Sequence, residues 1–271
     1  MKTIDMTNYD VVKTKATSSK GNQMKWLLDN FWYKQDHMGY EGLSEVVVSK
    51  LLKKSNVKGF IEYEPIKIKY NLANKSGCLS ENFKGKDEII VTLERMYKQY
   101  KGKSLASDLA AISETEDKIK YTVDFVECIT KLKNVGSYFA TMLQLDAFFL
   151  NEDRHTNNIA FIYNEKTEEF SFCPYFDFGL SLLADTNDYP LDVENDICIK
   201  HIKAKPFSID FDEQVDAATS LYGDNTRFFF TSYDMQDVLK TLEEYYPPEI
   251  ITRARDLLMD QKRKYNYMFS N

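Results

Sequence analysis

Two short stretches of the chain carry oxygen-bearing side chains that could bind a metal ion and activate a hydroxyl group. In NEDRHTNNIAFIY, at 151–163, Asp153 comes five residues before Asn158, between two apolar runs. In YFDFGLSLL, at 175–183, Asp177 stands two residues before a glycine. Phosphoryl transfer from ATP needs a carboxylate that orients or deprotonates the acceptor hydroxyl and hard oxygen ligands that hold Mg²⁺ on the phosphates. The spacing therefore predicts Asp153 as base and Asn158 and Asp177 as Mg²⁺ ligands.

The segment between these two stretches reads as a β-hairpin, with two β-prone arms around NEKTEE. A hairpin would place both metal ligands at the ends of adjacent strands. Taken alone, DRHxxN is also typical of a polar loop with a helix cap, and Asp-Phe-Gly is a common triplet. The combination with a hairpin favours a phosphoryl-transfer site. Gly179 is expected to free the backbone so that the Asp177 carboxylate can turn into that site.

Composition sets limits on the class of protein. The 271 residues, 43% of them apolar, are enough for one large domain or two lobes with a real core. The net charge of −7 gives no support to direct nucleic-acid binding. The four cysteines show no CxxC spacing, and we expect reduced thiols. Without an apolar leader or a run long enough for a membrane span, we expect a cytoplasmic protein, although secretion as an effector stays open.

The hydrophobic patterns predict an α+β fold with two lobes. Residues 10–36, 59–72 and 76–83 are rich in β-prone runs, and 42–56 shows helical spacing. Beyond Phe83, helical spacing dominates in DEIIVTLERMYKQYKG, SETEDKIKYTVDFVECITKLK, SYFATMLQLDAFFLNED and the C-terminal end, with Pro248 in a helix first turn. Residues 185–213 look irregular. We expect a β-rich N-lobe at 1–83, a mainly helical C-lobe at 84–271, and an ATP cleft between them.

The order of the loop, with Asp153 before His155, resembles the phosphoinositide-kinase-like group and the HipA-like bacterial kinases. The wider sequence is similar to HipA-like proteins of the CtkA type over roughly residues 15–210. The stretches that carry this resemblance are LQLDAFFLNEDRHTNNIAF, FDFGLSLL, GCLSENF, WYKQD followed by GLSEVVVSKLL, and KPFS at 205–208. The resemblance implies a two-lobed protein-kinase-like fold that uses ATP and Mg²⁺.

The resemblance also implies roles for residues that match the family's motifs. His155 would support the γ-phosphate or the loop. Lys34, in WYKQD, matches the strand lysine that contacts the phosphates, and Glu45 matches its ion-pair partner, although Glu41 competes for that role. The lysines of IKHIKAKPFS either face a substrate or lie on a solvated loop.

Two further stretches would contact the nucleotide. Ser18, Ser19 and Gly21 lie where a phosphate loop belongs, although the stretch lacks a full GxGxxG and could be an ordinary turn. Glu81 and Phe83, in SENF, are expected in the hinge that contacts adenine. A phosphate-loop serine is also a candidate for self-phosphorylation, as in HipA-like kinases.

The leading hypothesis is an ATP-dependent serine/threonine protein kinase that phosphorylates itself and a protein substrate, with an antitoxin or regulator as a further partner. A lipid or small-molecule kinase is the alternative enzyme, but SLLADTNDYPLDVENDICIK opens acidic, which disfavours an anionic head group. A nucleotide-binding pseudokinase is the non-enzyme alternative, and it would be expected to lack one of Lys34, Asp153, Asn158 and Asp177. Adenylation in place of phosphorylation stays open.

Overall fold

The computed structural model describes residues 1–12 and 23–270, which form two compact units. Neither unit is continuous in sequence. The first combines Met1–Asn82, Asp177–Ile202 and Arg227–Asn271, and the second combines Phe83–Phe176 with Lys203–Thr226. Both contain strands and helices, which confirms the α+β class. The expected lobe boundary after residue 83 stays a prediction.

The described residues form strands and helices with the following bounds. The strands are β1 (Thr3–Asp5), β2 (Lys25–Leu28), β3 (Phe31–Gln35), β4 (Glu64–Tyr70), β5 (Ala73–Glu81), β6 (Glu88–Thr92), β7 (Ala160–Asn164) and β8 (Glu169–Phe172). The helices are α1 (Glu41–Leu52), α2 (Leu93–Lys101), α3 (Leu105–Leu109), α4 (Thr115–Thr130), α5 (Val135–Phe149), α6 (Asn195–Ile199), α7 (Phe211–Tyr222), α8 (Ser232–Lys240) and α9 (Pro248–Lys264). A 3₁₀ turn follows at Asn266–Met268.

The first unit contains a five-stranded sheet with the order β1-β4-β5-β3-β2. Strand β1 runs parallel to β4, and the other pairs are antiparallel. Along β4, Ile66 and Ile68 are buried while Lys67 and Lys69 point to the other face, because successive side chains of a strand alternate. The two isoleucines pack with Met6 and Trp26 in the core of this unit.

Helix α1 packs tightly on β5 through two glycines. A Cβ atom on Gly42 would lie 2.6 Å from the backbone carbon of Gly77, and a Cβ on Gly77 would lie 2.1 Å from the Lys34 carbonyl oxygen. A side chain at Gly42 would push α1 off β5, and a side chain at Gly77 would push β5 away from β3. The helix is buried on nearly all sides, including the run Val46, Val47 and Val48, so it behaves as a core helix despite its β-branched residues.

The second unit combines a small sheet with a helical core. Its sheet has the order β6-β7-β8 and is antiparallel throughout. In α5 every residue except Ser137 is buried, as expected for a central helix that is apolar on all sides. Helix α5 ends at Phe149, and Leu150 follows in the left-handed region with φ 55°. The polar stretch that begins at Asn151 therefore directly follows α5, the central buried helix of this unit.

Most predicted elements are confirmed, but there are several differences. The short helices α3 and α6 were not predicted, and α6 lies in the stretch 185–213 that was expected to be irregular. The stretch 87–102, predicted as helix, begins as strand β6, because its Ile-Ile-Val run pairs with β7; the helix α2 starts only after Thr92, whose side chain accepts the Arg95 N–H. Helix α7 was not predicted; it begins beyond Asp210, whose carboxylate caps it. Strand β1 was also not predicted, and most of the predicted strand VVKTKAT lies outside the described residues.

The hairpin between Asn158 and Asp177 is confirmed as β7 and β8, and Pro248 does open α9. Cys78, Cys173 and Cys198 are buried free thiols, and Cys128 is exposed. Within residues 1–12 and 23–270, no helix is both long enough and apolar enough to cross a membrane.

Candidate functional site

The first unit brings three predicted site residues into direct contact. Lys34 projects from β3, Glu45 from α1, and Asp177 lies beyond the hairpin. The Lys34 Nζ lies 2.6 Å from Glu45 Oε1 and 3.3 Å from Asp177 Oδ1. It also donates a 3.2 Å hydrogen bond to the Tyr63 hydroxyl. One ammonium group therefore holds two carboxylates that are far apart in sequence.

The Lys34 ammonium is buried and charged. Burial by itself lowers the pKa of Lys34, but the carboxylates of Glu45 and Asp177 outweigh burial and hold that pKa well above its ordinary value. Glu45 is 1% exposed in its side chain, whereas Asp177 is 26% exposed. A buried charge is costly unless it is paired and hydrogen-bonded. The Lys34 ammonium therefore stays in contact with its carboxylate partners.

The backbone around Asp177 is held in an uncommon conformation. Asp177 has φ 62°, in the left-handed region that Asp tolerates better than most residues. The next backbone N–H, that of Phe178, donates to Glu45 Oε2 at 3.0 Å. Gly179 was expected to supply the turn, but its φ is not in the left-handed region; a Cβ there would lie 3.3 Å from the Glu41 Cβ. Close packing, and not backbone freedom, therefore restricts position 179.

Glu41 and Glu45 occupy different positions, which resolves their competition for Lys34. The Glu41 carboxylate accepts backbone N–H groups of His37, Met38 and Gly39 at 2.7 to 3.3 Å. Glu41 thus fixes the loop that leads into α1, and Glu45 alone of the two pairs with Lys34.

The second unit holds the predicted catalytic turn. The Asn158 Nδ2 donates to the Asp153 carbonyl oxygen at 2.9 Å and to Asp153 Oδ2 at 3.3 Å. His155 Nε2 lies 3.8 Å from Asp153 Oδ2, and both ring nitrogens of His155 are buried without a hydrogen-bond partner among the described residues. Lys205, from the KPFS stretch, places its Nζ 3.3 Å from Asp153 Oδ1. Asp153 is therefore surrounded by donors.

A buried ion pair that was not predicted from the sequence supports this turn. Arg154 is 1% exposed in its side chain and binds the buried Asp146 of α5. The Arg154 Nη1 also donates to the carbonyl oxygens of Asn158, at 2.9 Å, and Phe176, at 2.8 Å. An aspartate inside the apolar run LQLDAFF was the available signal, because a buried carboxylate needs a partner.

The donor set fits a hard divalent cation. Asn158 uses its amide nitrogen for Asp153, which leaves its carboxamide oxygen as a possible ligand, and Asp177 offers a partly exposed carboxylate. Carboxylate and amide oxygens are the ligands Mg²⁺ prefers, with substrate phosphates completing the shell. Each of these two side chains, considered within its own unit, therefore carries an oxygen of the kind that Mg²⁺ takes as a ligand.

The remaining predicted residues have simpler surroundings. Ser18, Ser19 and Gly21 lie outside the described residues. Glu81 ends β5 and is exposed. Phe83 is half-buried and packs against Phe176, with ring centroids 6.4 Å apart, at the edge of the apolar cluster that contains Ile162. Phe83 thus packs at the edge of an apolar cluster of the second unit, and its contact with adenine stays a prediction.

Comparison with solved structures identifies the fold of this chain. No protein-family model matches the chain, and no curated protein matches its sequence. The crystal structure of the Helicobacter pylori proinflammatory kinase CtkA is similar over 97% of this chain and 94% of that one, with TM-score 0.62 and 18% identity.

HipA of Shewanella oneidensis MR-1, solved in a toxin–antitoxin complex with HipB and operator DNA, is similar over 94% of this chain and 67% of that one, with TM-score 0.51 and 14% identity. Such identities show the fold alone. The chain therefore has the fold of the CtkA and HipA kinases, which confirms the predicted resemblance at that level.

Proposed function

We propose that this protein is an ATP-dependent kinase that transfers the γ-phosphoryl group to serine or threonine of a protein substrate. The observation that carries the proposal is the contact of the Lys34 ammonium with both Glu45 and Asp177. Kinase chemistry needs a lysine held on a strand by a helix glutamate, next to a metal-binding aspartate. The fold shared with CtkA and HipA supports the same function.

In this proposal the first unit supplies phosphate binding. Lys34 neutralises the phosphates, and Glu45 fixes its side chain so that little conformational entropy is lost when the nucleotide binds. Asp177 is a Mg²⁺ ligand. Mg²⁺, when bound, neutralises charge on the phosphate oxygens.

The second unit supplies the groups that act on the acceptor. The acceptor hydroxyl oxygen forms a bond to the γ-phosphorus, the bond from that phosphorus to the β–γ bridging oxygen breaks, and ADP leaves with the electron pair. Asp153 orients the hydroxyl and accepts its proton. Asn158 is the second Mg²⁺ ligand, and His155 supports the γ-phosphate or the turn. Self-phosphorylation and control by an antitoxin-like regulator belong to the proposal as well; the HipB partner of HipA supports the latter.

Isotope transfer tests the proposal. Purified wild type, Asp153→Asn, and the exposed control Asp192→Asn are incubated with Mg²⁺ and either γ-labelled or α-labelled ATP, and labelled residues are mapped. We expect γ-label on Ser or Thr in wild type and Asp192→Asn, and none in Asp153→Asn. Label from the α-phosphate would mean nucleotide transfer. An Asp153→Asn protein with wild-type γ-transfer would overturn the role of Asp153.

A further inference from the structure

A cavity of about 270 Å³ lies beside the Asp153 turn, within the second unit. One wall is apolar and comes from Leu109 with Ala106 and Ala110 of the α3 segment, and from Pro206. Leu109 is buried, whereas both alanines are exposed at the rim. This wall suits the aliphatic part of a side chain.

The polar wall of the cavity consists of hydrogen-bond donors. It is formed by Lys118, Lys205, His155 and Thr156. The Lys118 Nζ donates one hydrogen bond, to the Phe207 carbonyl oxygen at 3.1 Å, and an ammonium group has three protons to donate. The ring nitrogens of His155 are buried and have no partner among the described residues. The cavity thus offers several donors with unused capacity.

The charge of the polar wall indicates the sign of the charge on the ligand. Among the described residues that line the cavity, two are lysines and none carries a carboxylate. The acidic groups beside this wall have partners there. Asp153 lies 3.3 Å from Lys205 and offsets part of its charge, the Thr156 hydroxyl donates to Glu94 at 2.8 Å, and Glu213 accepts from the hydroxyls of Thr115 and Ser208. On a chain of net charge −7, this is a local positive site that is complementary to an anion.

The position of Lys205 connects the cavity to the chemistry. Its Nζ lies 3.3 Å from the Asp153 carboxylate while the same side chain lines the cavity. A ligand in the cavity is therefore separated from the proposed base by no more than the length of the Lys205 side chain. Because an extended chain advances about 3.3 Å per residue, a group bound there belongs to a residue that flanks the acceptor by about one to three positions.

We propose that this cavity binds the carboxylate side chain of a glutamate or aspartate flanking the acceptor serine or threonine in the protein substrate. The carboxylate contacts Lys118 and Lys205, and the methylene stem packs on Leu109 and Pro206. The proposal rests on the kinase function proposed above and specifies its substrate class as acidic around the acceptor.

The test uses peptides with one serine acceptor and a single Glu, Gln, Lys or phosphoserine at each of the three positions on either side. Phosphoryl transfer is measured as kcat/KM, and binding is measured in parallel by fluorescence anisotropy. For wild type we expect Glu to exceed Gln about fivefold at one position in both readouts. Lys118→Glu should abolish that preference and favour the Lys peptide. Lys120→Glu, the same charge change at an exposed site on the same helix, should retain the Glu preference.

The outcomes separate the two proposals. Equal kcat/KM for Glu and Gln at every position, with transfer intact, overturns the acidic site alone. A Glu preference in binding without any γ-transfer overturns the kinase function alone, and the loss of both overturns both. If phosphoserine exceeds Glu tenfold, the ligand is a phosphate and the carboxylate assignment is wrong. Should Lys118→Glu fail to fold, Ala110→Glu adds one negative charge at an exposed position that lines the cavity and should lower the Glu preference.

Discussion

The guanidinium of Arg154 and the carboxylate of Asp146 form an ion pair with side chains that are 1% and 0% exposed. The Arg154 Nε lies 2.9 Å from Asp146 Oδ2, and its Nη2 lies 3.0 Å from Oδ1. The third nitrogen, Nη1, donates to two backbone carbonyl oxygens, those of Asn158 and Phe176. The pair therefore joins the central helix α5 to the Asp153 turn and to the strand end that precedes Asp177.

Replacing one partner of this ion pair should destabilise the protein more than replacing both. We expect Arg154→Met to lower the free energy of unfolding by about 3 to 5 kcal/mol, because it leaves the Asp146 carboxylate buried and unpaired. The double variant Arg154→Met, Asp146→Leu should recover much of that loss in urea denaturation, but not γ-transfer, since the turn loses its Nη1 contacts. Arg255→Met, at an exposed arginine, should change little. A double variant no more stable than Arg154→Met would contradict this account.

Lys34 should be essential for phosphoryl transfer. We expect Lys34→Met to lower kcat/KM about 100-fold, because a preorganised charge on the phosphates is lost. Glu45→Gln should have a smaller effect, since it releases Lys34 without removing it. Lys75→Met, at an exposed lysine on β5, is the matched control and should keep wild-type kinetics. Steady-state kinetics with ATP as the varied substrate checks this, and unchanged kcat/KM in Lys34→Met would remove Lys34 from the mechanism.

The close approach of β5 to β3 predicts a strong effect of substitution at Gly77. A Cβ there would lie 2.1 Å from the Lys34 carbonyl oxygen, so Gly77→Ala should lower the free energy of unfolding by about 3 kcal/mol. Gly59, with φ +70° and open space around it, is the control: Gly59→Ala should cost only about 1 kcal/mol of backbone strain. Thermal and urea unfolding of both variants measures the difference, and equal losses would show that the contact at Gly77 is easily relieved.

Stability should fall as pH rises from 5.5 to 8, because of Asp36. Burial, followed by the charge of Glu41, raises the pKa of Asp36 from 3.8 to about 7. In this range the folded state holds a proton that the unfolded state has lost, so raising the pH favours unfolding, by about 2 kcal/mol over the interval. The carboxyl accepts the Gly42 N–H and the Tyr246 hydroxyl. Asp36→Asn should flatten this pH dependence in urea titrations, and an unchanged slope would assign it to another group.

Local patterns in the sequence were enough to predict much of the architecture. The alternation around Ile66 and Ile68, the β-prone arms on either side of NEKTEE and the proline at 248 all report on immediate neighbours, and each element they predicted is confirmed. The spacing of Asp153 and Asn158 is also local, since it lets the Asn158 side chain donate to the carbonyl oxygen and the carboxylate of Asp153 across a single turn. Their roles in catalysis and metal binding stay predictions. The partner of Lys34 was a different case: the family resemblance pointed to Glu45 and left Glu41 as a competitor, and the observed contact of Lys34 with Glu45 decides between them.

What the sequence by itself determined is the set of chemical groups and the local elements that carry them. The tertiary structure decided the interactions between distant positions. Residues 88–92 became strand β6 because β7 offered backbone partners, which outweighed helical spacing. The left-handed backbone belongs to Asp177 and not to Gly179, since Lys34 and Glu45 hold the aspartate in place. The pairing of Arg154 with Asp146 also depends on the tertiary structure. A buried charge needs a partner, and the whole fold decides which groups are buried together.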